Sequence, residues 1–150
     1  MRTVLVRVQP EQFMERIKVI IAGSRSITNY DLVYQACVEA VTRWQMIIVE
    51  VVSGQAPGAD TLGEQFADAH GIPKKLMPAD WDDITVPGAV VRTRRDGTKY
   101  NVRAGHMRNE DMGVYADAGI LIWDGKSTGT MDMKKRLEAK GKPVYVKLAC

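Results

Sequence analysis

Short apolar bursts alternate along the chain with stretches of helical spacing. Residues 18–22 (KVIIA) are β-branched and apolar and end at Gly23, the pattern of a strand buried on both faces. Leu32, Val33, Ala36, Cys37, Ala40, Val41 and Trp44 then recur at three- and four-residue steps, predicting an amphipathic helix with Thr28 or Asn29 as its N-cap. A second apolar run, residues 46–52, stops at Ser53-Gly54. Ala59, Leu62, Phe66 and Ala69 mark a second helix, closed by Gly71. Residues 73–77 form a short third strand. The second half repeats the rhythm, with a helix over about 105–115, a strand at 120–123 and a helix from Ser127 or Thr128 to Lys140. A last strand spans 143–148. Strands alternating with helices of this length predict one α/β domain: a Rossmann-like open parallel sheet of about five strands, ordered 3-2-1-4-5, with helices on both faces.

Two stretches stand outside that rhythm. The first 17 residues form an N-terminal extension to a domain spanning 18–150, and residues 3–8 alternate weakly enough to add a strand. More than twenty residues separate the third strand from the third helix, which is long for a strand-to-helix connection. Within it, Asp96-Gly97 lies between two alternating β-branched runs, predicting a projecting β-hairpin inserted at about 88–103. The hairpin region is basic. Arg92, Arg94, Arg95, Lys99, Arg103 and Arg108 face the single acid Asp96. That charge covers a phosphate, meets a second subunit, or forms a solvated face.

Composition narrows the picture. The chain has 150 residues, 45% hydrophobic and 26% charged, with a formal net charge of +3. That balance fits a single globular domain and is too weak to argue for nucleic acid or a membrane surface. Cys37 falls on a helical apolar stripe and Cys150 is the last residue, so both are expected to be reduced thiols. His70 and His106 have too few partners to make a metal site, and neither a metal nor a cofactor is expected. No apolar run approaches a membrane span, and no cleavable leader is visible, which makes the cytoplasm the expected location.

In an open parallel sheet, ligands bind beyond the carboxyl ends of the strands, where strand order reverses. Three turns should meet there. The first carries Gly23, Ser24 and Arg25; the second Ser53, Gly54, Gly58, Ala59 and Asp60; the third Asp124, Gly125, Ser127, Thr128, Gly129 and Thr130. Each combines glycine, a hydroxyl and a helix N-terminus, whose free N–H groups and dipole favour an anion. Arg108 with Asn109 opens a helix on the same edge, where its guanidinium can clamp a phosphate. Trp81 and Trp123 end the third and fourth strands, and either can stack on a base or pack in the core. No G-x-G-x-x-G is present. Gly125-Lys126-Ser127-Thr128 imitates the end of a phosphate-binding Walker loop, but the earlier glycine would fall at Ile120.

The strings Ala22-Gly23-Ser24-Arg25, Ser53-Gly54 with Gly58-Ala59-Asp60, Pro78-Ala79-Asp80-Trp81, and Ala104-Gly105 with Arg108-Asn109 and Met112 resemble the YspA-related branch of the SLOG superfamily. That superfamily includes the LOG and DprA/Smf families. The resemblance implies a Rossmann-like fold that binds nucleotides or their derivatives. Some members act as sensors, some bind DNA during uptake, and one branch hydrolyses the N-glycosidic bond of nucleoside monophosphates. The hydrolytic branch carries P-G-G-x-G-T-x-x-E. Here Gly129 and Thr130 match, Met133 occupies the glutamate position, and Asp132 is displaced by one residue, about 100° around a helix. Binding of a nucleotide or nucleotide-derived signal is therefore the expected function. The alternative is a phosphoribohydrolase using Asp60, Asp124 or Asp132. Nucleic acid and membrane are not expected partners, and a homodimer or tetramer is expected.

Overall fold

The computed structural model describes residues 13–149. Chain order is β1 (Glu15–Gly23), α1 (Tyr30–Trp44), β2 (Met46–Ser53), α2 (Ala59–Ala69), β3 (Lys74–Leu76), β4 (Val91–Thr93), β5 (Lys99–Asn101), α3 (Ala104–Tyr115), β6 (Ala118–Trp123), α4 (Thr128–Ala139) and β7 (Val144–Leu148). The sheet runs β3-β2-β1-β6-β7, with every pairing parallel. The expected order of core strands holds. β4 and β5 belong to the inserted hairpin, so the fourth and fifth strands of the main sheet are β6 and β7.

β1 is central because its residues are apolar on both faces. Ile17, Val19 and Ile21 pack on one side with Val33, Ala36, Cys37 and Ala40 of α1 and Ala59, Phe66 and Ala67 of α2. Ile20 packs on the other side with Val52, Leu121, Met112 of α3, and Met133 and Leu137 of α4. Two helices therefore cover each face, the doubly wound arrangement. Gly63 lets α2 press directly on β1, since a Cβ there would stand 2.6 Å from Ile21 Cγ2.

The helix boundaries follow local chemistry. Asn29 caps α1 by accepting a hydrogen bond from the Asp31 amide, while Thr28 makes no such bond. Ser127 caps α4 through the Thr130 amide. Lys142 closes α3, its ammonium donating to the carbonyls of Gly113, Val114 and Ala116 at 2.7, 3.0 and 2.7 Å. Burial pushes the Cys37 thiol up to about 12, so it stays protonated and unreactive. Cys150 and the possible strand at 3–8 lie outside the described residues. Among the described residues no helix is long and apolar enough to cross a membrane.

The hairpin forms with β4 and β5 antiparallel and Gly97 at φ +88° in the turn. It lies along the preceding loop. The Asn101 amide donates to the Trp81 carbonyl at 2.8 Å, and Arg94 pairs with Asp82 at 3.3 Å.

Candidate functional site

The loops after β1, β2 and β6 gather at one end of the sheet around a cavity of about 520 Å³, within the range of small-molecule sites. Gly23 at the end of β1 and Arg25 and Ser26 of the loop after it line the cavity, with Ala56 from the β2–α2 loop and Asp60 from the first turn of α2. Gly105, His106, Arg108, Asn109 and Met112 come from α3, with Trp81 beside them. Asp124, Ser127, Thr128, Gly129, Thr130 and Met133 complete the wall from α4 and its leading loop.

The remaining sequence-predicted residues build that wall without facing the cavity. Ser24 is buried, and its hydroxyl accepts from the Asp124 amide at 2.9 Å while its carbonyl takes the Ala59 amide at 3.2 Å. One serine thus pins all three loops together. Ser53 turns away to donate to Glu64 at 2.7 Å and to accept from the Gln55 amide. Gly58, at φ +82°, lies so close that a Cβ would meet the Arg25 carbonyl oxygen at 2.4 Å. Gly54 lies under Arg108, whose Nη1 donates to the Gly54 carbonyl at 2.5 Å. Trp123 and Gly125 lie next door, lining a separate hollow.

Amide occupancy is uneven. Asp124 accepts from the Lys126 and Ser127 amides at 2.8 Å each, Asp60 takes that of Ala56, and Ser127 that of Thr130. No protein acceptor among the described residues meets the amides of Arg25, Ser26, Thr128 or Gly129. These four remain available to an anion. Gly129 supports the same point. Nothing lies within 4 Å of a Cβ there, so no packing constraint calls for glycine in the first turn of α4.

Two carboxylates line the cavity in contrasting states. Burial raises the Asp60 carboxyl to about 6, against hydrogen bonds from the Ala56 and Gly23 amides and the nearby Arg108 charge, which pull it down. Amides of Lys126 and Ser127 hold Asp124 below the usual carboxylate range. Burial lowers Arg108 in turn, and it forms no ion pair with Asp60. Arg108 sits in the second turn of α3 and does not open that helix as the sequence suggested. Its Nη1 and Nε are already engaged, by Gly54 and by Asn109 Oδ1. Its capacity for a bidentate clamp is correspondingly reduced.

Asp132 lies outside the cavity, as its one-residue displacement implies. It accepts from Asn109 at 3.0 Å and Arg136 at 2.9 Å and faces His106. Met133, buried, occupies the floor instead. None of the hairpin's basic side chains lines the cavity, so of the three alternatives for that charge the phosphate cover finds no support; the bonds to Trp81 and Asp82 hold the hairpin along its own loop. Sequence reasoning missed His106 and Met112 as lining residues. For Met112 the signal was present, because Gly105, Arg108, Asn109 and Met112 fall at helical i, i+3, i+4 and i+7 positions; His106, one residue past Gly105, carries no such signal.

The sequence profile described as YAcAr, the YspA, cpYpsA-related SLOG family, matches residues 17–83. The resemblance to the YspA-related SLOG branch is shown over that stretch. The matched segment begins inside β1 and runs past β3, taking in both glycine-bearing loops, Asp60 and Trp81. Arg108 and the loop before α4 lie beyond it. The search of the curated proteins gave no match. Among solved structures, the chain resembles the X-ray structure of DNA processing protein A (DprA) from Streptococcus pneumoniae, with a TM-score of 0.59 and 16% identity. The alignment covers 93% of this chain and 52% of that one, so the chain spans about half of its length. At that identity the likeness carries the fold alone.

Proposed function

We propose that the protein binds a nucleotide or nucleotide-derived small molecule in this cavity, as a sensor or sequestering protein. One observation carries the reading: Arg25, Ser26, Thr128 and Gly129, whose amides meet no protein acceptor among the described residues, line a single cavity together with the Arg25 side chain, which forms no ion pair among them. A phosphate satisfies that arrangement. Trp81 on the same wall offers a ring to a base. The cytoplasmic nucleotide pool is the natural source of such a ligand, and assembly as a dimer or tetramer belongs to the same reading.

Calorimetry with mono-, di- and cyclic nucleotides tests it, with a short oligonucleotide included because the structural neighbour is named for DNA processing. Micromolar binding is expected, with the ligand recovered unchanged. Arg25→Glu should weaken binding about tenfold or more without moving the melting temperature. No binding by any nucleotide at millimolar concentration overturns the proposal.

Asp60 favours a second reading, hydrolysis of an N-glycosidic bond. Its buried carboxyl, raised to about 6, keeps a proton available near neutrality beside the cavity. Incubation with AMP should then release adenine, detectable by chromatography. No free base after long incubation removes this reading and leaves the first intact.

A further inference from the structure

A second hollow of about 450 Å³ adjoins the main cavity. The two share His106, Ser127 and Thr128 as a common wall. Beyond that wall stand Trp123, Lys126 and Lys135. The Trp123 indole N–H already donates to the Ser127 carbonyl at 3.0 Å, which fixes the ring and leaves its face as the remaining means of contact.

The basic charges around this hollow are only partly compensated, Lys126 acting on Asp124 without a direct ion pair. Lys134 pairs with Glu138, and Arg136 with Asp132 and Glu110, but Lys126 and Lys135 form no ion pair among the described residues. Asp132, the one acid lining the hollow, is already bound to Asn109 and Arg136 and faces His106. Two free ammonium groups beside an anchored tryptophan make a place for a planar group carrying negative charge. The free Thr128 amide lies on the shared wall, where a phosphate linking the two hollows would pass.

Resting on the nucleotide reading above, we propose that the ligand consists of two phosphate-linked nucleoside units. One unit occupies the main cavity with Trp81, and the second stacks on Trp123 between Lys126 and Lys135.

Calorimetry comparing AMP with linear pApA, and GMP with pGpG, tests this. The dinucleotide should bind about tenfold or more tightly than its mononucleotide in at least one series. Lys135→Glu should reduce that advantage to about twofold while leaving mononucleotide binding unchanged. Trp123→Leu, checked for folding by thermal melting, should do the same to the ratio. Equal affinity of mono- and dinucleotide overturns the inference and leaves the nucleotide reading standing. So does Lys135→Glu weakening both alike. A further large gain with a tetranucleotide also overturns it, in favour of a nucleic-acid groove. Binding of neither probe in either series overturns this inference, and the nucleotide reading falls with it only when the wider panel of mono-, di- and cyclic nucleotides also fails to bind.

Discussion

Replacing Asp60 by asparagine removes one ionisable proton from beneath the site, and its effect on stability has a definite sign. Folding raises the Asp60 carboxyl from 3.8 to about 6, so the native state binds this proton more tightly than the unfolded chain. The group therefore favours the native state at low pH and loses that advantage as pH climbs through the window between those values. A shift of that size corresponds to about 3 kcal/mol in total, of which about 2 kcal/mol develops between roughly pH 4.5 and pH 7.5. Asparagine is nearly isosteric and keeps an oxygen for the Ala56 and Gly23 amides, but it never ionises. Urea denaturation of both proteins across that range isolates the term. The carboxylates held low elsewhere, such as Asp124 and Asp132, titrate alike in both proteins and cancel in the difference. Asp60→Asn should gain stability relative to the parent by about 2 kcal/mol as pH rises. A difference independent of pH, or one that shrinks with rising pH, would refute the reasoning that burial outweighs the Arg108 charge.

Other substitutions probe the walls. Ser24→Ala strands the Asp124 amide and should cost about 1–3 kcal/mol, lowering the melting temperature by about 2–4 °C per kcal/mol; an unchanged melting curve would remove Ser24 as the pin between loops. Gly129→Ala meets no protein atom, so it should raise stability by about 0.5–1 kcal/mol while weakening nucleotide binding. Stability gained with affinity kept would mean that no ligand approaches there. Gly23→Ala puts a Cβ 1.9 Å from the Ile122 carbonyl oxygen, and soluble, normally folded protein would contradict the closeness of β1 and β6 at that point. Lys142→Met frees three carbonyls at the end of α3 and should cost about 2 kcal/mol, read by urea denaturation.

The sheet is legible in the sequence because β1 and β6 are buried on both faces and such strands must be unbroken apolar runs. The helices are legible for a related reason: each buries one stripe, and α1 and α4 begin at capping side chains of the expected type, Asn29 and Ser127, whereas α2 and α3 begin without one. The site is only half legible. Glycine and hydroxyl turns reveal which loops meet, but not which way a side chain faces once they have met. Ser24 and Ser53 look identical in the sequence to cavity-lining serines. In the structure one bonds Asp124 and the other Glu64, because a buried hydroxyl takes the nearest partner available. Arg108 similarly carries a charge whose partners, Gly54 and Asn109, depend on how α3 docks against the β2–α2 loop. The basic hairpin misleads because local charge density says nothing about where the Asn101–Trp81 and Arg94–Asp82 contacts hold it.

The position of β1 between β2 and β6 has a consequence for biosynthesis. β2 follows β1 closely in the chain, whereas β6 begins about a hundred residues later; Val19, for example, pairs with Ala118. During translation one flank of β1 must wait, its hydrogen-bonding edge open, until the residues of β6 have left the ribosome. The Ser24–Asp124 bond spans the same interval, so the crevice is among the last features to close. A chain cut short before β6 would carry the early loops yet lack the third wall of the cavity, which Asp124, Ser127, Thr128, Gly129 and Thr130 supply.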